Sequence, residues 1–138
     1  MSDVHDSATR SYNMSRIKSK NTTPELKVRR FLFKEGFRYR IHCSNLPGKP
    51  DIVLKKYNTV IFINGCFWHG HKNCKYFVIP RTRKDWWIRK INKNKQNDSS
   101  KMRILRKLGW KVIIIYECKL KNDKLNKTMT KLKKQILK

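Results

Sequence analysis

The stretch "DIVLKKYNTVIFINGCFWHGHKNC", residues 51–74, holds two strand-like runs followed by a loop crowded with reactive side chains. "DIVL" and "TVIFIN" are short, apolar and rich in β-branched residues, and "KKYN" between them offers a tight connection at Tyr57 and Asn58. Two adjacent strands are therefore expected. The second strand runs straight into "GCFWHGHKNC", which contains Cys66, Phe67, Trp68, His69, His71 and Cys74. A sheet that ends in such a loop sets the frame for the rest of the chain.

Working upstream, "LPGKP" is a turn and "FRYRIH" alternates apolar with polar residues, which adds a further strand and makes a β-meander. Before it, Thr23 offers an N-cap, Pro24 suits the first helical position and Glu25 complements the helix dipole. Val28, Phe31 and Leu32 supply an apolar face, and Gly36 ends the helix. Working downstream, Thr82 and Asp85 form a capping pair for a long basic helix, expected to break at residues 98–100, resume to Leu108 and stop at Gly109. "WKVIIIYE" reads as a strand buried on both faces, and residues 122–138 as an amphipathic helix with Leu125, Met129, Leu132 and Ile136 on one side. The order helix, three strands, helix, strand, helix predicts one α/β (α+β) domain with a mixed central sheet flanked by helices. It spans residues 23–138, behind a polar, basic arm of residues 1–22.

The 138 residues suffice for one compact core, supported by 38% apolar residues. Thirty-five Lys and Arg against nine Asp and Glu leave a formal charge of +26, a self-repulsion that a polyanion relieves. Basic residues interleaved with aromatics in every segment point to nucleic acid. No apolar run is long enough to span a bilayer, and the N-terminus lacks an apolar signal core, so a cytoplasmic protein is expected. In that reducing compartment four cysteines argue for metal binding or burial over disulfides.

Cys66, His71 and Cys74 present three borderline-soft ligands from one loop, the donor set that suits tetrahedral zinc. Cys43 and Cys118, each at a strand end, both qualify as the fourth ligand, with His69 a further competitor. Among the few carboxylates, Asp51 opens a strand behind "LPGKP" and can share an edge with the backbone of Ile63 and with Asn64. "PD" before a strand is a scheme common to metal-dependent nucleases, where an oxygen-ligated Mg²⁺ polarises the phosphodiester. A turn aspartate would have the same pattern. Glu25 is a second candidate, although a first-turn glutamate also serves the dipole. His69 can act as a general base, since imidazole titrates near neutrality.

Taken together, "DVHDSATRSYNM", "LPGKPDIVL", "VIFINGCFWHGHKNC", "TRKDWWIRKINKN" and "LGWKVIIIYEC" resemble the very short patch repair (Vsr) DNA mismatch endonucleases over essentially the whole chain. The resemblance implies a restriction-endonuclease-like fold with a structural zinc. It also implies Mg²⁺-dependent nicking 5′ of the mispaired thymine in T·G mismatches left by 5-methylcytosine deamination. By the same resemblance, Asp51 and the main-chain carbonyl of Ile63 hold Mg²⁺, Glu25 orders metal-bound water and His69 activates the attacking water. Cys66, His71, Cys74 and Cys118 become the zinc ligands. Asn64 stands where the family often has histidine; an amide can hold a water or phosphate oxygen but cannot shuttle a proton. Phe67, Trp68 and Trp87 match aromatics wedged beside the mismatch, where a mispaired step is cheaper to unstack. Met14 and the basic arm would lie in the opposite groove, while Lys90 and Asn94, one helical turn apart, would contact bases or phosphates. The implied partners are mismatched duplex DNA, which places a monomer on the nucleoid, and mismatch-repair proteins. A non-catalytic, zinc-stabilised nucleic-acid-binding module and a restriction-type nuclease without mismatch specificity are the competing readings.

Overall fold

A computed structural model describes residues 22–138, so residues 1–21 of the arm, Met14 among them, lie outside the described residues. Helix α1 (Thr23–Lys34) leads into strands β1 (Arg40–Ile41), β2 (Ile52–Leu54) and β3 (Thr59–Asn64). Helix α2 (Lys84–Lys107), strand β4 (Lys111–Tyr116) and helix α3 (Asn122–Leu137) complete the domain. The strands lie in the order β1-β2-β3-β4. Pairing is antiparallel for β1 with β2 and β2 with β3, and parallel for β3 with β4, which makes the expected mixed sheet. The β2–β3 connection is a single 3₁₀ turn, Lys55–Tyr57, closed by Asn58 in the left-handed conformation at φ 50°.

The sheet is the middle of three layers. On one face Val28 and Leu32 of α1 and Met129, Leu132 and Ile136 of α3 meet Ile61, Ile113 and Ile115. Each such burial is worth about 2 kcal/mol, so the apolar stripe of α3 accounts for its docking. On the other face Leu105 of α2 packs on Val53, Val60 and Phe62, with Cys43 and Trp110 at the margin.

Five local expectations are corrected. The cap of α1 is Thr22, not Thr23: the Thr22 hydroxyl accepts from the Glu25 N–H at 3.4 Å, and Pro24 follows inside the first turn. Of "FRYRIH" only Arg40 and Ile41 pair with a neighbour. Thr82 does not cap α2; the chain turns in through Arg83 at φ 57° with no side-chain cap. Helix α2 runs unbroken through residues 98–100. There the Asp98 carboxylate is taken up by a distant histidine and does not compete for the local backbone. Finally, β4 is the edge strand among the described residues, and only Ile113 and Ile115 of its core-facing side are buried.

Candidate active site and metal centre

Asp51 sits one residue before β2, where its N–H still donates to the Ile61 carbonyl at 3.1 Å. The next rung is made by its side chain, with Oδ2 accepting from the Ile63 N–H at 2.7 Å. In an antiparallel pairing the N–H and C=O of one residue point to the same neighbour, so the Ile63 carbonyl also faces Asp51. The strands thus part around two hard oxygen ligands, a carboxylate and a carbonyl, of the kind Mg²⁺ takes. Burial, with the Glu25 charge adding to it, pushes the Asp51 carboxyl up to about 6 against the opposing Ile63 N–H. A buried carboxyl so disposed gains from a cation beside it, which satisfies the fit expected of a divalent metal.

Asp51 opens onto a cavity of about 380 Å³ that Glu25, Asn64, His69, Asp98 and Glu117 also line. Four of the nine acidic residues of a strongly basic chain therefore converge on one cavity. Glu25 does more than complement the dipole of α1, because it is only 3% exposed. Its Oε2 accepts from Arg29 Nη2 at 2.9 Å, with His42 Nε2 3.8 Å away. Asn64, at the end of β3, is buried on the side of the sheet that faces α2.

His69 Nδ1 lies 2.6 Å from Asp98 Oδ2. An ionised carboxylate only accepts, so Nδ1 carries the proton and Nε2 is left as the basic nitrogen. This is the geometry of a general base held in one tautomer by an acid. The loop that carries His69 turns tightly, with His69 N–H to Gly65 O at 3.2 Å and Gly70 N–H to Phe67 O at 3.1 Å. Gly70 has φ +57°, and a Cβ there would stand 2.8 Å from Ile91 Cγ2 and 2.7 Å from Lys95 Cε of α2. Only glycine lets the loop lie this close to the helix.

Beyond Gly70 the loop reaches the metal-ligand cluster. The ligand atoms of Cys66, His71, Cys74 and Cys118 all lie within 4.8 Å of one another. Zinc with Zn–S bonds of about 2.3 Å spaces its tetrahedral ligands about 3.8 Å apart, so the group could close on an ion with small side-chain shifts. Cys118 enters from the 3₁₀ turn after β4, with its Sγ 3.4 Å from His71 Nδ1. Cys43, the other sequence candidate, packs instead against the α2 side of the core. The His71 ring stacks on Tyr116 with centroids 3.8 Å apart and planes 6° apart, which fixes its orientation. Burial, and then the Lys119 charge, lower the His71 pKa, which favours the neutral ligand form. Burial pushes the Cys66 thiol up to about 12. A bound cation reverses that order, since a coordinating thiol is deprotonated outright.

The same loop carries the aromatic residues. Phe67 is the hub, 5.3 Å from both Trp68 and Trp87 and 6.3 Å from Phe77, all edge-on. Phe67 and Trp87 are half-buried. Trp68 and Trp86 are each 38% exposed, so the structure turns two indoles outward and keeps the other rings as their support. Trp68 also lines the cavity of Asp51 and His69. Asn94 Nδ2 donates to the Trp68 carbonyl at 3.0 Å, while Lys90, one turn earlier on α2, is exposed.

Asp98 and Glu117 line the cavity although neither is among the residues that the sequence motifs single out. Asp98 resembles a helix breaker in isolation, yet Trp87, Ile91, Asn94, Asp98 and Met102 follow the helical spacing of three and four. A carboxylate on the inward stripe of a basic helix was the available signal.

The family described as "DNA mismatch endonuclease Vsr" matches residues 2–75. The "Type II nicking enzyme V.NmeAIP" of Neisseria meningitidis is 45% identical over 141 residues, covering 99% of this chain and 100% of the relative. The "DNA mismatch endonuclease Vsr" of Escherichia coli is 44% identical over 121 residues, covering 88% of this chain and 77% of its own. Among solved structures, the catalytic domain of the homing endonuclease I-Bth0305I superposes with a TM-score of 0.57 over 85% of this chain and 96% of that one. At 21% identity it attests the restriction-endonuclease-like fold alone. With the family match over residues 2–75, one relative aligned over 99% of the chain and a second over 88%, the chain belongs to the Vsr family of DNA mismatch endonucleases.

Proposed function

We propose that this endonuclease nicks one DNA strand on the 5′ side of the mispaired thymine in T·G mismatches, the product of 5-methylcytosine deamination, and so starts very short patch repair. The observation that carries the reading is that exposed Trp68 lines the same cavity as Asp51 and His69. An indole inserted where stacking is weakened sets the neighbouring phosphodiester against a carboxylate and a base. Mg²⁺, held by the Asp51 carboxylate and the Ile63 carbonyl, would polarise the phosphodiester and stabilise charge on the leaving oxygen. His69 Nε2 takes the proton of the attacking water, and Asp98 holds the ring and balances the charge it acquires. Glu25 orders water in the cavity, and Asn64 holds a water or a phosphate oxygen without moving a proton.

The cysteine and histidine cluster binds zinc as a structural ion, fixing Phe67, Trp68 and His69 relative to β3 and β4. Phe67, Trp68 and Trp87 form the wedge, with Trp68 as its exposed tip and Phe67 and Trp87 packed behind it. Lys90 contacts a phosphate, and Asn94 steadies the wedge loop through the Trp68 carbonyl. The arm of residues 1–22, with Met14, reaches the opposite groove, and residues 23–138 form the nuclease domain. The protein acts as a monomer on nucleoid DNA in the cytoplasm, alongside mismatch-repair proteins.

The test is incubation with Mg²⁺ and matched sets of duplexes carrying T·G or T·A in varied contexts. Nicking confined to T·G is expected, and Asp51→Ala should abolish it while T·G binding stays nearly intact. Equal nicking of T·A would replace this reading with that of a nicking enzyme indifferent to mismatches. Binding without any cleavage would leave a non-catalytic module.

A further inference from the structure

A second cavity, of about 450 Å³, shares no lining residue with the first and lies between the free edge of β4 and α3. Ile114 and Ile115 both line it. Consecutive strand residues point to opposite faces, so the cavity runs along the main chain of the edge itself. Lys111 N–H donates to Asn58 O on the β3 side at 2.7 Å. By the two-residue alternation of a parallel ladder, Ile113 and Ile115 also bond toward β3, while the main-chain groups of Val112, Ile114 and Tyr116 face outward. Among the described residues no strand pairs with them.

The opposite wall is cationic. Lys119, Lys124, Lys127 and Lys131 line the groove, the last three on one face of α3, and no carboxylate lines it. Hydrogen bonds hold α3 beside the strand at two points. Lys111 Nζ donates to the Gln135 and Ile136 carbonyls at 2.8 and 3.3 Å, and the Thr128 hydroxyl donates to Lys119 O at 2.6 Å. The result is an open rung of β-sheet with an apolar floor and a row of ammonium groups beside it.

We propose that this groove is a docking site for an extended acidic segment of a partner protein, added to β4 as a further strand. Main-chain pairing supplies affinity, and alternate carboxylates reaching the lysine row supply selectivity. A nucleic-acid strand would meet the lysines but has no complement to the alternating donors and acceptors of the edge. The arm of this chain is disfavoured by its own charge, since Arg10, Arg16, Lys18 and Lys20 outnumber Asp3 and Asp6.

The test uses the full chain and a labelled eight-residue probe peptide alternating glutamate with valine. Its binding is followed by fluorescence polarisation, and amide hydrogen exchange is measured residue by residue. The expected result is new protection at the Ile114 and Tyr116 amides on binding, with Ile113 and Ile115 protected throughout. The Lys127→Glu/Lys131→Glu variant, changed only at exposed positions, should bind at least tenfold more weakly while exchange in the β3–β4 ladder is unaltered. The proposal is overturned if the peptide binds without protecting these two amides, or if they are already protected in the free chain. It is also overturned if a matched DNA duplex displaces the peptide and is itself weakened equally by the charge reversal.

Discussion

Replacing Asp98 by asparagine isolates the charge behind His69, the proposed general base. The amide can still accept from His69 Nδ1–H, so the ring keeps its place, but the negative charge beside the protonating ring is gone. Hydrogen bonds to charged groups contribute about 1.5–3 kcal/mol. The 2.6 Å contact argues for the upper part of that range, whereas side-chain exposures of 29% and 31% argue for the lower. Taking about 1.5–2 kcal/mol, the chemical step should slow by roughly 10–30-fold, at about 1.4 kcal/mol per decade. Asp98→Ala removes the positioning as well and should cost about 100-fold or more. The assay is single-turnover nicking of a T·G duplex with the enzyme in excess, paired with duplex affinity measured without divalent metal. A rate loss under about threefold in Asp98→Ala, or an equal loss in affinity, would refute the assignment.

Other perturbations test the supports of the site. Gly70→Ala meets Ile91 at 2.8 Å in a left-handed conformation, and Ile91 is only 2% exposed and cannot withdraw. At about 1–2 kcal/mol of backbone strain plus the clash, it should lower Tm by at least about 4 °C and slow nicking by displacing His69; unchanged Tm and rate would contradict the packing. Stripping the metal with a strong chelator, or Cys118→Ser, should cost about 3 kcal/mol or more, lowering Tm by about 10 °C in calorimetry. An unaltered melting curve would remove the cluster from the stability of the fold. The Asp51 carboxyl, raised from 3.8 to about 6 chiefly by burial, binds its proton more tightly in the folded metal-free protein than in the unfolded chain. Its contribution to stability is therefore greatest below about 3.8 and is lost as pH rises toward about 6. Protons then compete with Mg²⁺ at that carboxylate, so half-saturating Mg²⁺ should rise by up to about tenfold per unit below about pH 6. A value that does not change with pH would exclude Asp51 as the metal ligand.

The parts of the fold legible in the sequence were those set by local periodicity. The stripe of α3, from Leu125 to Ile136, and the apolar runs of β2 and β3 name their buried faces directly. What failed depended on neighbours. "VIIIY" looks buried on both sides because apolarity does not reveal that β4 lies at the edge. Asp98 resembles a breaker because the partner that neutralises it, His69, is 29 residues away. The cluster of Cys66, His71 and Cys74 is local, but Cys118 joins it only through the parallel pairing of β3 with β4, which sets the ends of those strands side by side. Cys43 and Cys118 are alike in sequence, and the sheet order separates them.

The unbroken course of α2 has a mechanical consequence. Trp87, beneath the exposed indoles, and Asp98, behind the base, are carried by one rod without a joint. Eleven residues are close to three turns, so the two point the same way about 16 Å apart. The helix therefore sets the spacing between the support of the aromatic cluster and the carboxylate that holds His69. One residue inserted between them would turn Asp98 about 100° from Trp87, so that a single helix could no longer support His69 and the aromatic cluster together, although both side chains remained present.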